Sequence, residues 1–143
     1  MATSTGDSVL RPAPSRILVV DDDTAHRQAL IKTLTRAGFH AAGAVDGEEA
    51  IRHLDVGTWH LVLTDLLMPR LGGLPLLREI RRAHPGLPVI IVTAYGEWKS
   101  YAEAMELGAV EYLNKPVKRD VLVTTIRRAL GDPGQVEASH GEL

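Results

Sequence analysis

His60-Leu-Val-Leu-Thr-Asp65-Leu-Leu-Met-Pro69 decides the fold. Apolar residues at consecutive positions, ended by a carboxylate and then a proline, read as a strand covered on both faces, the kind found inside a parallel sheet. A second such run, Arg16-Ile-Leu-Val-Val20, also stops on acids, Asp21-Asp22-Asp23. In a parallel sheet the C-terminal ends of neighbouring strands open on one crevice, so these acids can form a single site. Two carboxylates at ~4 Å repel by roughly 4 kcal/mol at an effective dielectric near 20, so the cluster needs a cation, a proton or a lysine beside it.

The flanking sequence supplies the rest of the sheet. Ala29, Leu30, Thr33, Leu34 and Ala37 keep helical spacing, and Gly38 provides the stop. Phe39 to Ala44 reads as an alanine-rich second strand. Asp46 caps a second helix running to Leu54, with Glu48 and Glu49 near the positive end of its dipole. The third strand is Leu61 to Thr64. Gly72-Gly73 then turns the chain into a helix over Leu74 to Ala83, where Pro75 is tolerated because it lies in the first turn. Pro88 leads the fourth strand, Val89 to Val92, which ends at Thr93. A helix from Glu97 to Leu107 stops at Gly108, a fifth strand over Val110 to Leu113 runs into Asn114-Lys115-Pro116, and the last helix reaches Leu130. Strict alternation of strands and helices predicts an α/β domain with a flavodoxin-like, doubly wound, five-stranded parallel sheet in three α/β/α layers.

Composition bounds the function. With 143 residues and 45% hydrophobic content there is room for one ordinary domain over residues 16–131, between a disordered leader over 1–15 and a flexible tail over 132–143. A net charge of −2 gives no electrostatic case for nucleic acid, and Arg81-Arg82 and Arg127-Arg128 read as solvated helix faces. Without cysteine there is no disulfide or thiol chemistry. No apolar run approaches the ~20 residues of a membrane span, and Met1 to Ser15 has no signal-peptide pattern, so the expectation is a cytoplasmic protein away from membranes. The six histidines show no metal-binding spacing and are assigned to surface or packing, His26 and His84 included.

Four polar features end four strands: Asp21 and Asp22 on the first, Asp65 on the third, Thr93 on the fourth and Lys115 on the fifth. Singly, an acid after a strand is a helix cap, a threonine a turn residue and a lysine a solvated charge. Jointly they suit a hard divalent ion such as Mg2+, held by one or two carboxylates, a carbonyl and waters, facing a phosphoryl group that a hydroxyl and an ammonium neutralise. Asp65 would then be the nucleophile.

The segments Ile17-Leu-Val-Val-Asp-Asp-Asp23, Thr64-Asp-Leu-Leu-Met-Pro69 with Gly73, Val92-Thr-Ala-Tyr-Gly96 and Tyr112-Leu-Asn-Lys-Pro116 closely resemble the receiver domain of bacterial two-component response regulators. Among subfamilies, Thr93-Ala-Tyr-Gly96 and Leu107-Gly-Ala-Val-Glu-Tyr-Leu-Asn-Lys-Pro116 most resemble the nitrogen-regulator and sigma-54 activator type. The resemblance implies that Asp65 is the phosphoacceptor and Asp22 a direct ligand of Mg2+, with Leu67 giving its backbone carbonyl and Asp21 acting through metal-bound water. It implies that Thr93 and Lys115 bind phosphoryl oxygens, that Tyr112 changes rotamer with Thr93 as a switch, and that the Lys115-Pro116 bond is cis. Leu67 and Tyr95 would flank the line along which water attacks the acyl phosphate. Gly72 stands where many members carry a polar or acidic residue.

The implied function is a phosphorylation-activated switch that takes a phosphoryl group from the phosphohistidine of a sensor kinase or phosphotransfer protein. It assists its own phosphorylation and dephosphorylation without being a turnover enzyme. Its signal leaves by a homodimer or effector contact on the face of the fourth helix, fifth strand and fifth helix, and the chain reads as a stand-alone or truncated receiver. Three rivals stand beside it. A haloacid-dehalogenase-like phosphatase would use Asp21, but Ala25 falls where threonine or valine is expected and no cap domain is present. A flavin carrier would need a hydroxyl- and glycine-rich phosphate loop where Asp21-Asp-Asp-Thr24 stands. A degenerate receiver would act only as a docking module.

Overall fold

Side chains along a strand alternate between two faces, and here both faces are covered. The computed structural model describes residues 13–94 and 96–131, so most of the leader and the tail expected from the sequence lie outside the described residues. Five strands, β1 (Arg16–Val20), β2 (His40–Ala44), β3 (Leu61–Thr64), β4 (Val89–Thr93) and β5 (Glu111–Asn114), alternate with α1 (Thr24–Arg36), α2 (Gly47–Val56), α3 (Gly73–Ala83), α4 (Trp98–Glu106) and α5 (Arg119–Ala129). All strands pair in parallel, in the order β2-β1-β3-β4-β5. The expected elements are all present, with small shifts at their ends: β2 begins at His40, β5 at Glu111, and Glu97 is the cap of α4 rather than its first turn.

The alternation divides the core in two. Leu18, Val20, Val62, Val89 and Ile91 pack with Leu54, Leu76, Leu77, Ile80 and Ala104, the layer of α2, α3 and α4. Ile17, Val19, Leu61, Leu63, Ile90 and Val92 pack with Leu34, Leu122 and Ile126, the layer of α1 and α5. Every residue of β3 and β4 is buried, which is why these runs carry no polar alternation. Truncating Ile90 or Leu77, both wholly buried, would cost about 2–5 kcal/mol.

Local chemistry fixes the boundaries. Asp23 caps α1 by accepting from the His26 backbone N–H at 3.0 Å, and Gly38 follows its end with φ of 99°, a left-handed conformation glycine adopts without strain. Asp46 caps α2 through the Glu49 N–H at 2.9 Å, and the Glu49 carboxylate reaches back to the Val45 N–H at 2.8 Å. Strand order reverses between β1 and β3, where the chain winds to opposite sides of the sheet. The crevice outside that switch point is where a doubly wound fold binds its ligand.

Candidate functional site

Sheet hydrogen bonding delivers the acids to one place. The Asp21 N–H bonds to Ala44 O at 3.0 Å and the Asp65 N–H to Val20 O at 3.1 Å, so each acid stands on the last rung of the ladder with its side chain just beyond it. On the far side, Thr93 ends β4 fully buried, and the Lys115 N–H bonds to its carbonyl at 2.8 Å. The Lys115–Pro116 peptide bond is cis, as the resemblance implied. A cavity of about 330 Å³ opens at this edge, lined by Asp21, Asp22, Asp23, Asp65, Leu67 and Lys115, with His26 and Ala94.

The electrostatic centre is Lys115. Its Nζ donates to Asp21 Oδ2 and to Asp65 Oδ2, each at 2.8 Å, although the three residues lie on three different strand ends. Desolvation is the largest single influence on this ammonium and favours loss of its proton, but the hydrogen bonds and charges of Asp21 and Asp65 together outweigh it and raise the pKa above the usual lysine value. Asp21 also accepts from the Asp23 N–H at 2.9 Å, and Asp65 Oδ1 from the Leu66 N–H at 2.6 Å. Asp22 differs from both: it is exposed and keeps its carboxylate toward the open cavity.

These donors suit a hard divalent cation. Among the described residues no three acidic or imidazole side chains already converge as ligands, because Lys115 stands between Asp21 and Asp65. Magnesium needs only one or two carboxylates, a backbone carbonyl and waters, a set that Asp22, Asp65 and the Leu67 segment can provide along one cavity wall.

Around the crevice, the loop from β3 to α3 is held from both sides. A Cβ on Gly73 would lie 2.3 Å from Asp65 O, so glycine is required there by close approach of the backbone. The sequence reading gave the turn itself to Gly72-Gly73, whereas the positive φ, 65°, falls on Arg70. Arg70 pairs with the buried Asp46 carboxylate and lies 3.4 Å from Glu48, so charge holds the conformation that glycine would adopt freely. The Asp46 carboxyl is kept below the usual range first by the Glu49 N–H, against desolvation, and then by Arg70. Gly72 caps α3 without a side-chain hydrogen bond, which is the local consequence of the missing polar residue.

The expected switch residue Tyr112 is turned inward. Its hydroxyl is buried near the Glu97 backbone without a well-formed hydrogen bond, and burial pushes its pKa up. The ring meets Tyr101 edge-on at 5.4 Å, and Tyr101 in turn stacks on the exposed Trp98 at 5.6 Å. Asp21, Asp22, Asp65, Leu67 and Lys115 therefore come together at the cavity, Thr93 stands on the neighbouring strand end, and Tyr112 lies behind it on β5. Tyr95 lies outside the described residues. His26, assigned from sequence to surface or packing, lines the cavity with Nδ1 at 3.3 Å from Lys115 Nζ.

Known proteins share this fold. The family model described as "Response regulator receiver domain" matches residues 17–127. The transcriptional regulatory protein ZraR of Escherichia coli (strain K12) is 37% identical over 122 residues, spanning 85% of this chain and 28% of the relative. The DNA-binding transcriptional regulator NtrC of Klebsiella pneumoniae is 38% identical over 112 residues, spanning 78% of this chain and 24% of the relative. The chain thus spans only about a quarter of the length of these regulators. Among solved structures, the receiver domain of NtrX from Brucella abortus superposes with a TM-score of 0.77 at 34% identity, covering 81% of this chain and 98% of that one. The CheY-like receiver domain protein from Methanospirillum hungatei JF-1 gives a TM-score of 0.80 at 29% identity, covering 87% and 98%. With its strand-end acids and lysine in one crevice and four-fifths of its length matched, the chain belongs to the response regulator receiver domain family.

Proposed function

We propose that this domain is a magnesium-dependent phosphorylation switch in which Asp65 accepts a phosphoryl group from the phosphohistidine of a sensor kinase or phosphotransfer protein. The observation that carries the reading is the Asp21–Lys115–Asp65 cluster, a charged group of opposite signs buried at the mouth of a cavity with Asp22 open beside it. In the transfer a carboxylate oxygen of Asp65 attacks phosphorus, the P–N bond of the donor breaks, and the leaving imidazole takes up a proton. Asp22, Asp65 and the Leu67 carbonyl would hold the metal, with Asp21 holding metal-bound water. The bound ion would neutralise the incoming phosphoryl charge. Lys115 would exchange its carboxylate partners for a phosphoryl oxygen, and Thr93 would bond another.

As a member of this family the domain is a signalling switch; the finer reading is that it aids its own phosphorylation and dephosphorylation without turning over a substrate. A phosphatase working through Asp21 has no support from any related protein found. Among the described residues no helix is long and apolar enough to cross a membrane. The output surface would be the α4-β5-α5 face, reached through Tyr112, Tyr101 and Trp98, and its occupant a second copy or an effector.

Intact-mass analysis after incubation with acetyl phosphate and Mg2+ tests the proposal. Wild type should gain one phosphoryl mass, and Asp65→Asn or excess chelator should abolish the gain. Labelling that persists in either arm would overturn it.

A further inference from the structure

An ammonium carries three N–H donors and no acceptor, so a confined ammonium can take three acceptors. Lys115 is the sole lysine or arginine lining the acid cavity among the described residues. Two of its hydrogens go to Asp21 and Asp65. For the third, the structure offers His26 Nδ1 at 3.3 Å.

The direction of that contact follows from chemistry: an ammonium has only donors, so Lys115 donates and His26 Nδ1 accepts, which puts the ring proton on Nε2. Asp23 Oδ2, the other charged atom near Nδ1, is 3.9 Å away, beyond hydrogen-bonding range. Across the cavity the ring faces Asp21, Asp22 and Asp65, and it faces Arg119 across an adjoining apolar cavity between α1 and α5. The side chain is 56% exposed, and the backbone N–H of His26, not its ring, serves the α1 cap. Little in the fold depends on the imidazole.

We propose that His26 is a positioning residue for Lys115, its imidazole Nδ1 taking the third ammonium hydrogen at the mouth of the acid cavity. α1, β1 and β3 then each supply one acceptor to the lysine. When Lys115 trades its two carboxylates for phosphoryl oxygens, the bond to His26 keeps the ammonium in place. This role in transfer rests on Asp65 being the phosphoacceptor; the hydrogen bond itself does not.

Two measurements separate the claims. In the unphosphorylated protein under chelation, the imidazole 15N spectrum of His26 should show an unprotonated, hydrogen-bond-accepting Nδ1, and Lys115→Met should erase that signature. An unchanged spectrum in Lys115→Met overturns the contact whatever the domain does. In the second, phosphorylation by acetyl phosphate with Mg2+ is timed. His26→Phe keeps the bulk but has no acceptor and should be slower by about fivefold, the rate equivalent of one hydrogen bond of about 1 kcal/mol. His26→Asn places an amide oxygen where Nδ1 stood and should return the rate to within about twofold of wild type. In the Lys115→Met background His26→Phe should add nothing. A wild-type rate in His26→Phe, a failed rescue by asparagine, or a full additional loss in the Lys115→Met background would each overturn the positioning role. If wild type itself gains no phosphoryl mass, the proposed function fails while the spectrum still decides the His26–Lys115 bond.

Discussion

The two ends of the sheet handle polar groups in opposite ways. At the N-terminal edge, Arg16 donates through Nε to Thr58 O at 2.9 Å and its guanidinium covers the Trp59 ring at 4.6 Å, while Trp59 Nε1 donates to His53 O at 2.9 Å. These two side chains end on backbone carbonyls or an aromatic face. At the C-terminal edge four carboxylates share a cavity with one lysine, and the bonds that matter run between side chains. Side-chain charge met by side-chain charge from another strand end sets this edge apart, as the proposed exchange of partners requires.

The comparison can be broken most decisively through the metal. Asp22→Ala should weaken Mg2+ binding by about tenfold or more, since a proposed direct ligand is lost, whereas Thr93→Ala should weaken it less and Arg16→Ala at the opposite edge should leave it unchanged. A titration in which Asp22→Ala equals wild type, or Arg16→Ala equals Asp22→Ala, removes the asymmetry.

Next is the stabilising role of Lys115. Removing it leaves two buried carboxylates facing each other, and Lys115→Met should cost about 1–3 kcal/mol in chelator near neutral pH. Because the folded pKa lies above the unfolded value near 10.5, this contribution is complete below that value and is lost as pH rises through the folded pKa. Denaturant melts should therefore converge for wild type and Lys115→Met on the alkaline side. A gap that widens there would reverse the assigned sign.

A smaller effect concerns lifetime. Leu67 is 57% exposed beside the cavity. If Asp65 carries the acyl phosphate, as proposed, this side chain would hinder water there, so Leu67→Asn should speed dephosphorylation several-fold, and by the family resemblance Tyr95→Ala should act alike. If both variants decay at the wild-type rate, steric shielding is not in control.

The smallest expected signal is optical. Trp98 connects to Tyr112 through Tyr101, while Trp59 sits at the other edge on Arg16. Beryllofluoride with Mg2+ should change the fluorescence of wild type and Trp59→Phe and leave Trp98→Phe flat. A response that survives in Trp98→Phe and vanishes in Trp59→Phe would put the moving surface elsewhere.

The features legible in the sequence were those set by burial. β3 and β4 declare themselves because strands covered on both faces need apolar residues at every position, and Asp21 and Asp65 stand out because each ends such a run. Lys115 instead follows the half-buried β5 and is singled out by the Asn114-Lys115-Pro116 motif. Features set by long-range contact were not legible. His26 is an ordinary polar residue in the first turn of α1, and only the arrival of Lys115, 89 positions later, gives it a partner. The left-handed residue at Arg70 was hidden for a related reason. With Gly72 and Gly73 just beyond Leu71, an arginine is the poorer choice by local propensity, and the acids that hold it belong to another helix and its cap.

The enclosure of Lys115 also decides which amines of the chain can be acylated. Acylation, by acetyl phosphate among other reagents, needs a free-base amine to attack the acyl carbon and expel the leaving group, and Lys115 is 12% exposed with its proton held by two carboxylates. Lys32, Lys99 and Lys118 stand in solvent. Acetyl adducts from such a reagent should therefore gather on the outer lysines and spare Lys115, an outcome that peptide mapping by mass spectrometry would check.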